Sequence, residues 1–239
     1  MRLRAILLAF LGLMAINGYG QKTAPSLSGG IIRFIAKSGQ EKEIQVGKAC
    51  GDLWVSPDET VIAFISIEKG SPPKPPYDLD NPFIEESAIY VAKRSEDFRP
   101  VRVALEPVII DGRRSLVFRQ PSLSPDLKIL YFSVPYTMTS WKLMSASLQN
   151  GHVKSISDAD DYCVIWGGTD SGDLLAVART NEYDPTLRGY YPGYPYFLMT
   201  NSGAKTRLEN KEDLPFDQFV DQWSRHRGGA CSLSDFGKH

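Results

Sequence analysis

The chain has 239 residues, with 27 Lys and Arg against 28 Asp and Glu, for a formal net charge of −1. A near-neutral chain without a basic block offers little to a phosphate backbone, so nucleic acid is set aside as a partner. The apolar share of 42 % is ordinary for a folded globular protein and argues against a disordered chain.

The N-terminus comes first. Met1-Arg2-Leu3-Arg4 is a short basic stretch, and Ala5 to Ala15 is an uninterrupted apolar run. Asn17-Gly18-Tyr19-Gly20 then places small residues where a signal peptidase reads them. This is the layout of a secretory signal with cleavage after Gly20, and it predicts a periplasmic or secreted protein. The apolar run is shorter than the ~20 residues a stable span needs, so no stable membrane insertion is expected after cleavage. A retained N-terminal anchor is the competing reading. No cysteine lies near the cleavage point, which argues against a lipoprotein. The remainder, roughly 220 residues, suits one β domain or two small ones.

The mature chain opens with Ile31 to Ala36, a Ser38-Gly39 turn and Lys42 to Val46, which read as a hairpin. An internal repeat follows. Leu53-Trp54-Val55-Ser56-Pro57-Asp58 precedes Val61 to Ser66, and Pro121-Ser122-Leu123-Ser124-Pro125-Asp126 precedes Ile129 to Ser133. Both predict strand, Ser-Pro-Asp turn, strand, because Pro presets φ and the Ser and Asp side chains bond local N–H groups. A degenerate third copy runs from Val164 to Arg179, with Gly168 to Gly172 in place of the turn. Each copy has a second hairpin after it. Ala88 to Ala92 turns near Ser95-Glu96 into Val101 to Leu105; Trp141 to Leu148 turns at Asn150-Gly151 into Val153 to Ile156; Tyr196 to Thr200 turns at Asn201-Ser202-Gly203 into Lys205 to Leu208. Beyond them, Phe216, Phe219, Val220 and Trp223 fall at helical spacing. Pro215 in front and Gly228-Gly229 behind predict a helix over about 215–227.

The Ser-Pro-Asp turn followed by an Ile-Ala-Phe-like strand resembles the blade repeat of TolB and its relatives, which also occurs in prolyl-oligopeptidase propellers. The resemblance covers most of the mature chain at repeat level and implies a propeller-type fold without fixing an activity. The chain is too short for TolB itself, and it has no Gly-x-Ser-x-Gly elbow of the hydrolases. The expected fold is therefore mostly β: a small or incomplete propeller of about three four-stranded blades plus an N-terminal hairpin, over 21–210. A C-terminal helix and tail, 211–239, would pack on the same domain and cover an exposed sheet edge. Closure by dimerisation is the rival.

Meander geometry puts the tight turns at one end of the blades and the long connections at the other. One long connection, Lys69 to Ser87, holds Tyr77, Asp78, Asp80, Phe83, Glu85 and Glu86; another, Asn181 to Pro195, holds Tyr183, Arg188, Tyr190, Tyr191 and Tyr194. Long loops on a rigid scaffold commonly carry binding, and tyrosines supply contact area at low entropy cost. Tyr77, Phe83, Tyr183, Arg188, Tyr190, Tyr191 and Tyr194 are therefore the expected binding residues. The competing reading is that these rings only pack the loops onto the scaffold.

The three cysteines suit an oxidising compartment with one disulfide. Cys50 and Cys163 occupy equivalent places, six residues before Ser56 and Thr169, and Cys231 follows the helix. A bond from Cys231 to Cys50 or to Cys163 would tie the helix to the blades. A catalytic thiol would need a base, and the histidines are three: His152, His226 and His239. Asp158, Asp160 and Asp161 form an oxygen-rich stretch that suits Ca²⁺ only in part, and it is read as a solvated acidic turn. Glu85-Glu86 and Arg113-Arg114 are read as exposed charges, and Trp54 and Trp141 as packing residues. The expectation is a non-catalytic exported binding or scaffold protein without cofactor or metal, whose partner is another exported or envelope protein. The alternative is a small-ligand or hydrolase-type site using carboxylates from the long loops.

Overall fold

The computed structural model describes residues 26–233 apart from 29, 37, 47–51, 71–84, 116, 137–139, 185 and 187. The expected leader, Cys50, Tyr77 and Phe83 lie outside the described residues. In chain order, β1 (Ser26–Ser28), β2 (Ile31–Ile35) and β3 (Glu41–Gln45) form a first antiparallel sheet. A second contains β4 (Leu53–Val55), β5 (Val61–Gly70), β6 (Glu85–Lys93) and β7 (Val101–Arg102). The hairpin β8 (Val108–Ile110) and β9 (Arg113–Ser115) links it to a third, made of β10 (Arg119–Leu123), β11 (Ile129–Pro135), β12 (Trp141–Ser147) and β13 (Val153–Asp158). Next come β14 (Asp161–Trp166), β15 (Leu174–Val177), the hairpin β16 (Thr180–Asp184) and β17 (Gly189–Gly193), β18 (Tyr196–Met199) and β19 (Lys205–Leu208). Helix α1 (Phe216–Arg227) and β20 (Ala230–Cys231) end the described chain, and the fourth sheet has the order β19-β18-β15-β14-β20.

The Ser-Pro-Asp turns explain why the repeat folds as it does. In the first, Ser56 Oγ donates to Asp58 Oδ1 (2.6 Å) and accepts from the N–H groups of Thr60 (3.1 Å) and Val61 (3.0 Å). In the second, Ser124 Oγ donates to Asp126 Oδ1 (2.7 Å) and accepts from Ile129 N–H (2.9 Å). Each turn closes through an N–H from a residue of positive φ, Glu59 or Leu127, to the serine carbonyl. The serine supplies the acceptor that the tight reversal denies the backbone.

Period-two alternation sends the side chains of each strand to two faces, and in the second and third sheets both faces are apolar and buried. On β5, Ile62 and Phe64 meet Ile32 and Phe34 of the first sheet, whereas Val61, Ala63 and Ile65 face Leu130, Phe132 and Met144 of the third. Tyr131 and Leu143 meet Tyr162, Val164, Leu174 and Met199 of the fourth. The four sheets are thus stacked face to face in chain order, as propeller blades are.

Among the described residues no further sheet packs on the far side of the fourth. There Cys163, Ile165, Leu175, Val177 and Tyr196 pack against Phe219 and Val220 of α1, with Trp223 and Phe216 alongside. The helix start is set by Asn210, whose side chain bonds both the N–H and the C=O of Leu214 (3.0 and 2.8 Å). Tyr196 OH donates to the same carbonyl (2.7 Å). Gly228, at φ 72°, ends the helix. At Gly229 a Cβ would lie 2.9 Å from Ile165 Cγ2 and 3.1 Å from Gly167 O, so only glycine lets the chain pass so close. β20 then pairs antiparallel with β14, Ile165 opposite Cys231. A Cys163–Cys231 disulfide fixes it, and Trp54 Nε1 of the second sheet donates to Ser232 O (3.1 Å).

The structure corrects several expectations. The leading hairpin has a third strand, β1, because Ser26–Ser28 finds a full register on β2. The helix covers a sheet face, and the edge of β14 is covered by β20: an apolar stripe needs an apolar face, whereas an edge needs backbone partners. Arg113 and Arg114, expected as exposed charges, belong to β9, where Arg114 is exposed. Asn181 to Pro195 is largely the two-stranded β16–β17 hairpin.

The disulfide closes a 68-residue separation, which corresponds to about 4 kcal/mol of chain entropy removed from the unfolded state. Replacing both Cys163 and Cys231 by Ala should lower the unfolding free energy by that order in urea titration. A loss under about 1 kcal/mol would show that the cap holds without its tether.

Candidate partner-binding site

Three connections meet at one end of the stack. An open cleft of about 270 Å³ lies there, lined from three directions. The β11–β12 connection supplies Tyr136, Ser140 and Trp141; the β13–β14 connection supplies Asp158, Ala159 and Asp160; the chain entering β16 supplies Arg179, Thr180 and Asn181. Backbone bonds hold these segments together: Ala159 N–H to Trp141 O (3.2 Å), Asp160 N–H to Val177 O (2.8 Å) and Tyr136 N–H to Ser140 O (3.0 Å).

The cleft carries both charge and aromatic surface. Lys142 Nζ sits 4.1 Å from the Tyr136 ring centroid and 3.6 Å from Asp158 Oδ1. Burial raises the Asp160 carboxyl above its ordinary pKa, against the backbone N–H and charge of Arg179. Its Oδ2 is buried and accepts no hydrogen bond. Asp160 and Asp161 are half-buried and Asp158 is exposed, so the stretch is not the uniformly solvated acidic turn expected. Among the described residues no group of three or more His, Cys, Asp or Glu is placed to hold a metal ion.

Beside the cleft stands the β16–β17 hairpin. Tyr183 and Tyr190 are cross-strand partners with ring centroids 5.4 Å apart, and they are 56 % and 74 % exposed. Tyr194 is 55 % exposed, and Arg188, at φ 50°, lies exposed in the turn. Tyr191 is opposite Glu182 in the register. The structure therefore gathers Tyr183, Arg188, Tyr190, Tyr191 and Tyr194 on one hairpin. Sequence reasoning weighed Asp160 only as part of an acidic turn and Trp141 only as a packing residue, and it did not single out Tyr136 or Arg179. Their convergence depends on which connections share an end, and nothing local marks it.

Beneath this end, a polar network joins three sheets. Asp52 is fully buried, and its Oδ2 accepts from Gln120 N–H (2.6 Å). Gln120, at φ 49°, sends its amide to Asp161 Oδ1 (3.0 Å) and accepts from Ser133 Oγ (3.1 Å). Tyr162 OH donates to the Gln120 carbonyl. Burial pushes Asp52 up, tempered by Gln120 N–H and Arg119. It pushes Asp161 to about 6, with the charges of Asp160, Asp217 and Asp52 adding to the rise. Asp52 and Asp161 are therefore clamped to the fold.

No protein-family model matches the chain, and no curated protein sequence matches it. Solved structures do align. The β-propeller domain of the Trilobed protease from Pyrococcus furiosus, described as having an open velcro topology, aligns with a TM-score of 0.44 at 12 % identity, over 78 % of this chain and 56 % of that one. Kuenenia stuttgartiensis hydrazine synthase aligns at 0.41 and 15 %, over 76 % and 48 %. TolB from Acinetobacter baumannii aligns at 0.30 and 12 %, over 89 % and 54 %. The chain spans about half the length of these structures. No activity is carried over from them.

The network has a pH signature. Folded Asp161 holds its proton up to about pH 6, against 3.8 for the ordinary carboxyl. The native state is therefore favoured while the group is protonated, and that advantage is lost as pH rises from about 4 to 6. Asn keeps the Oδ1 acceptor used by Gln120 and by Tyr162 N–H. Asp161→Asn should flatten stability between pH 4 and 6 and add about 1–3 kcal/mol at pH 7, read by denaturant titration. A variant less stable at pH 7 would contradict this account.

Proposed function

We propose that this exported protein docks another extracytoplasmic protein through the long-connection end of its sheet stack and performs no chemistry of its own. The observation that carries the reading is the β16–β17 hairpin, which presents Tyr183, Tyr190 and Tyr194 to solvent beside a cleft of mixed charge. Exposed aromatic surface with a polar surround is the anatomy of a recognition patch. The Cys163–Cys231 bond fits an oxidising, extracytoplasmic compartment. The leader-like N-terminus points to the periplasm or the exterior, with the mature chain starting at Gln21.

A second reading, a small-ligand or hydrolase-type site, draws on the raised carboxyls of Asp160 and Asp161. Raised carboxyls that converge in a cleft are a mark of function. Against that reading, Oδ1 of Asp161 is committed to Gln120 and to Tyr162 N–H.

The test is crosslinked capture from the extracytoplasmic fraction, comparing the mature protein with a Tyr183→Ser, Tyr190→Ser double variant. The docking reading expects one discrete partner with the parent and its loss with the variant, whose thermal unfolding stays unchanged. An unchanged capture pattern, or a hydrolytic activity that needs Asp160, would overturn it.

A further inference from the structure

The charges of the cleft answer one another. Asp158 Oδ1 lies 3.6 Å from Lys142 Nζ, and the Asp160 carboxyl takes the backbone N–H of Arg179 and feels the Arg179 charge. An ion of either sign would have to displace one of these partners, and breaking a part-buried pair is costly. The lining therefore favours a neutral ligand.

What it offers such a ligand is directional. Oδ2 of Asp160 is buried and accepts no hydrogen bond. The exposed Asn181 lines the same space, and its amide both donates and accepts. A hydroxyl suits both groups, because it donates one hydrogen bond, accepts others and brings no charge. The remaining wall is aromatic. Trp141 and Tyr136 border the cleft, and Tyr136 is 38 % exposed. Aromatic faces are electron-rich, so they attract cations and, more weakly, polarised C–H bonds. The cationic place on the Tyr136 ring is already filled by Lys142, 4.1 Å from its centroid. Hydroxyls around a rim and C–H groups on a face are the surface of a sugar ring. At about 270 Å³ the cleft falls below the usual size of small-molecule pockets and holds one such ring. Main-chain bonds already tie its walls together, Ala159 N–H to Trp141 O (3.2 Å) and Asp160 N–H to Val177 O (2.8 Å), so little ordering is left for the ligand to impose.

We propose that the cleft binds one neutral pyranose ring of a glycan, with its C–H face against Trp141 and Tyr136 and a ring hydroxyl donated to Asp160 Oδ2. This goes beyond the docking reading, which stands on the exposed tyrosines of the β16–β17 hairpin, and the two can fail separately.

The test applies the oxidised mature protein to an array of neutral hexose, deoxyhexose and N-acetylhexosamine oligosaccharides and measures retained sugars by titration calorimetry. Retained glycans should share one terminal ring, and the free monosaccharide of that ring should compete. Affinity should be nearly unchanged between about 50 and about 500 mM NaCl, because no ion pair forms with the ligand. Asp160→Asn should weaken binding about tenfold, the size of one hydrogen bond to a charged group. Trp141→Ala should weaken it to a similar degree by removing the ring platform. Thermal melting checks the fold of each variant, and Asn181→Ala, at an exposed position, should also weaken binding if either variant melts early. Retention of no glycan, affinity that falls steeply with salt, or binding indifferent to Asp160→Asn and Asn181→Ala overturns the proposal. Adding the free sugar to the crosslinked capture separates the two sources of the ring: lost capture places it on the docked protein, and unchanged capture places it on a free or cell-surface glycan.

Discussion

A stack of sheets packed face to face has two ends, and the rest of the fold depends on how the C-terminal one is closed. Inside the stack each sheet shelters its neighbours, so Trp54, Phe64, Tyr131, Phe132 and Leu143 are almost fully buried. The fourth sheet would leave Ile165, Leu175 and Val177 open to water. Fully burying an aliphatic side chain is worth about 1.5–3 kcal/mol, so an exposed sheet face of this kind is costly and prone to aggregation. Helix α1 covers the face, β20 covers the β14 edge, and the disulfide holds both in place. The Trp54 bond to Ser232 carries the tail back to the second sheet, beside the Trp54–Trp166 ring contact that already joins the second and fourth sheets.

The closed end leaves the other connections free to vary. The Gln120 network joins β10 to the starts of the second and fourth sheets through Asp52 and Asp161. That junction lies under the segments that line the cleft, so the Tyr hairpin and the acidic stretch project from a braced platform. A backbone φ of 49° is a strained choice for a residue other than glycine, and it persists at Gln120 because four partners over-determine it. Rigidity at this end matters for docking, because each side chain already ordered before contact lowers the entropy cost of binding.

Features with a local physical cause were legible in the sequence. The two Ser-Pro-Asp turns, the Asn150-Gly151 reversal and the helix bounded by Pro215 and Gly228 all follow from side chains acting on their own backbone. The β16–β17 hairpin was read as a loop because Gly189, Pro192 and Gly193 are poor strand residues, and only pairing with β16 overrides them. β8 and β9 are three residues each, too short for alternation to register. The cysteines showed that a bond to Cys231 would tie the helix down but left two partners open. The pairing of β20 with β14 selects Cys163. Within the candidate site, the tyrosines were legible as a composition. Asp160, Arg179 and Trp141 were not, because separate connections bring them together.

The central claim is that the helix, β20 and their disulfide terminate the stack. Hydrogen exchange of the full chain, oxidised against reduced, reads it most directly. Amides opened by loss of the cap exchange early, whereas those protected inside the stack wait for global unfolding. The account predicts that reduction deprotects α1 and β20 first and β14 next, while β5, β11 and β12 keep their protection. Equal protection in both forms, or a uniform loss across all four sheets, would contradict it.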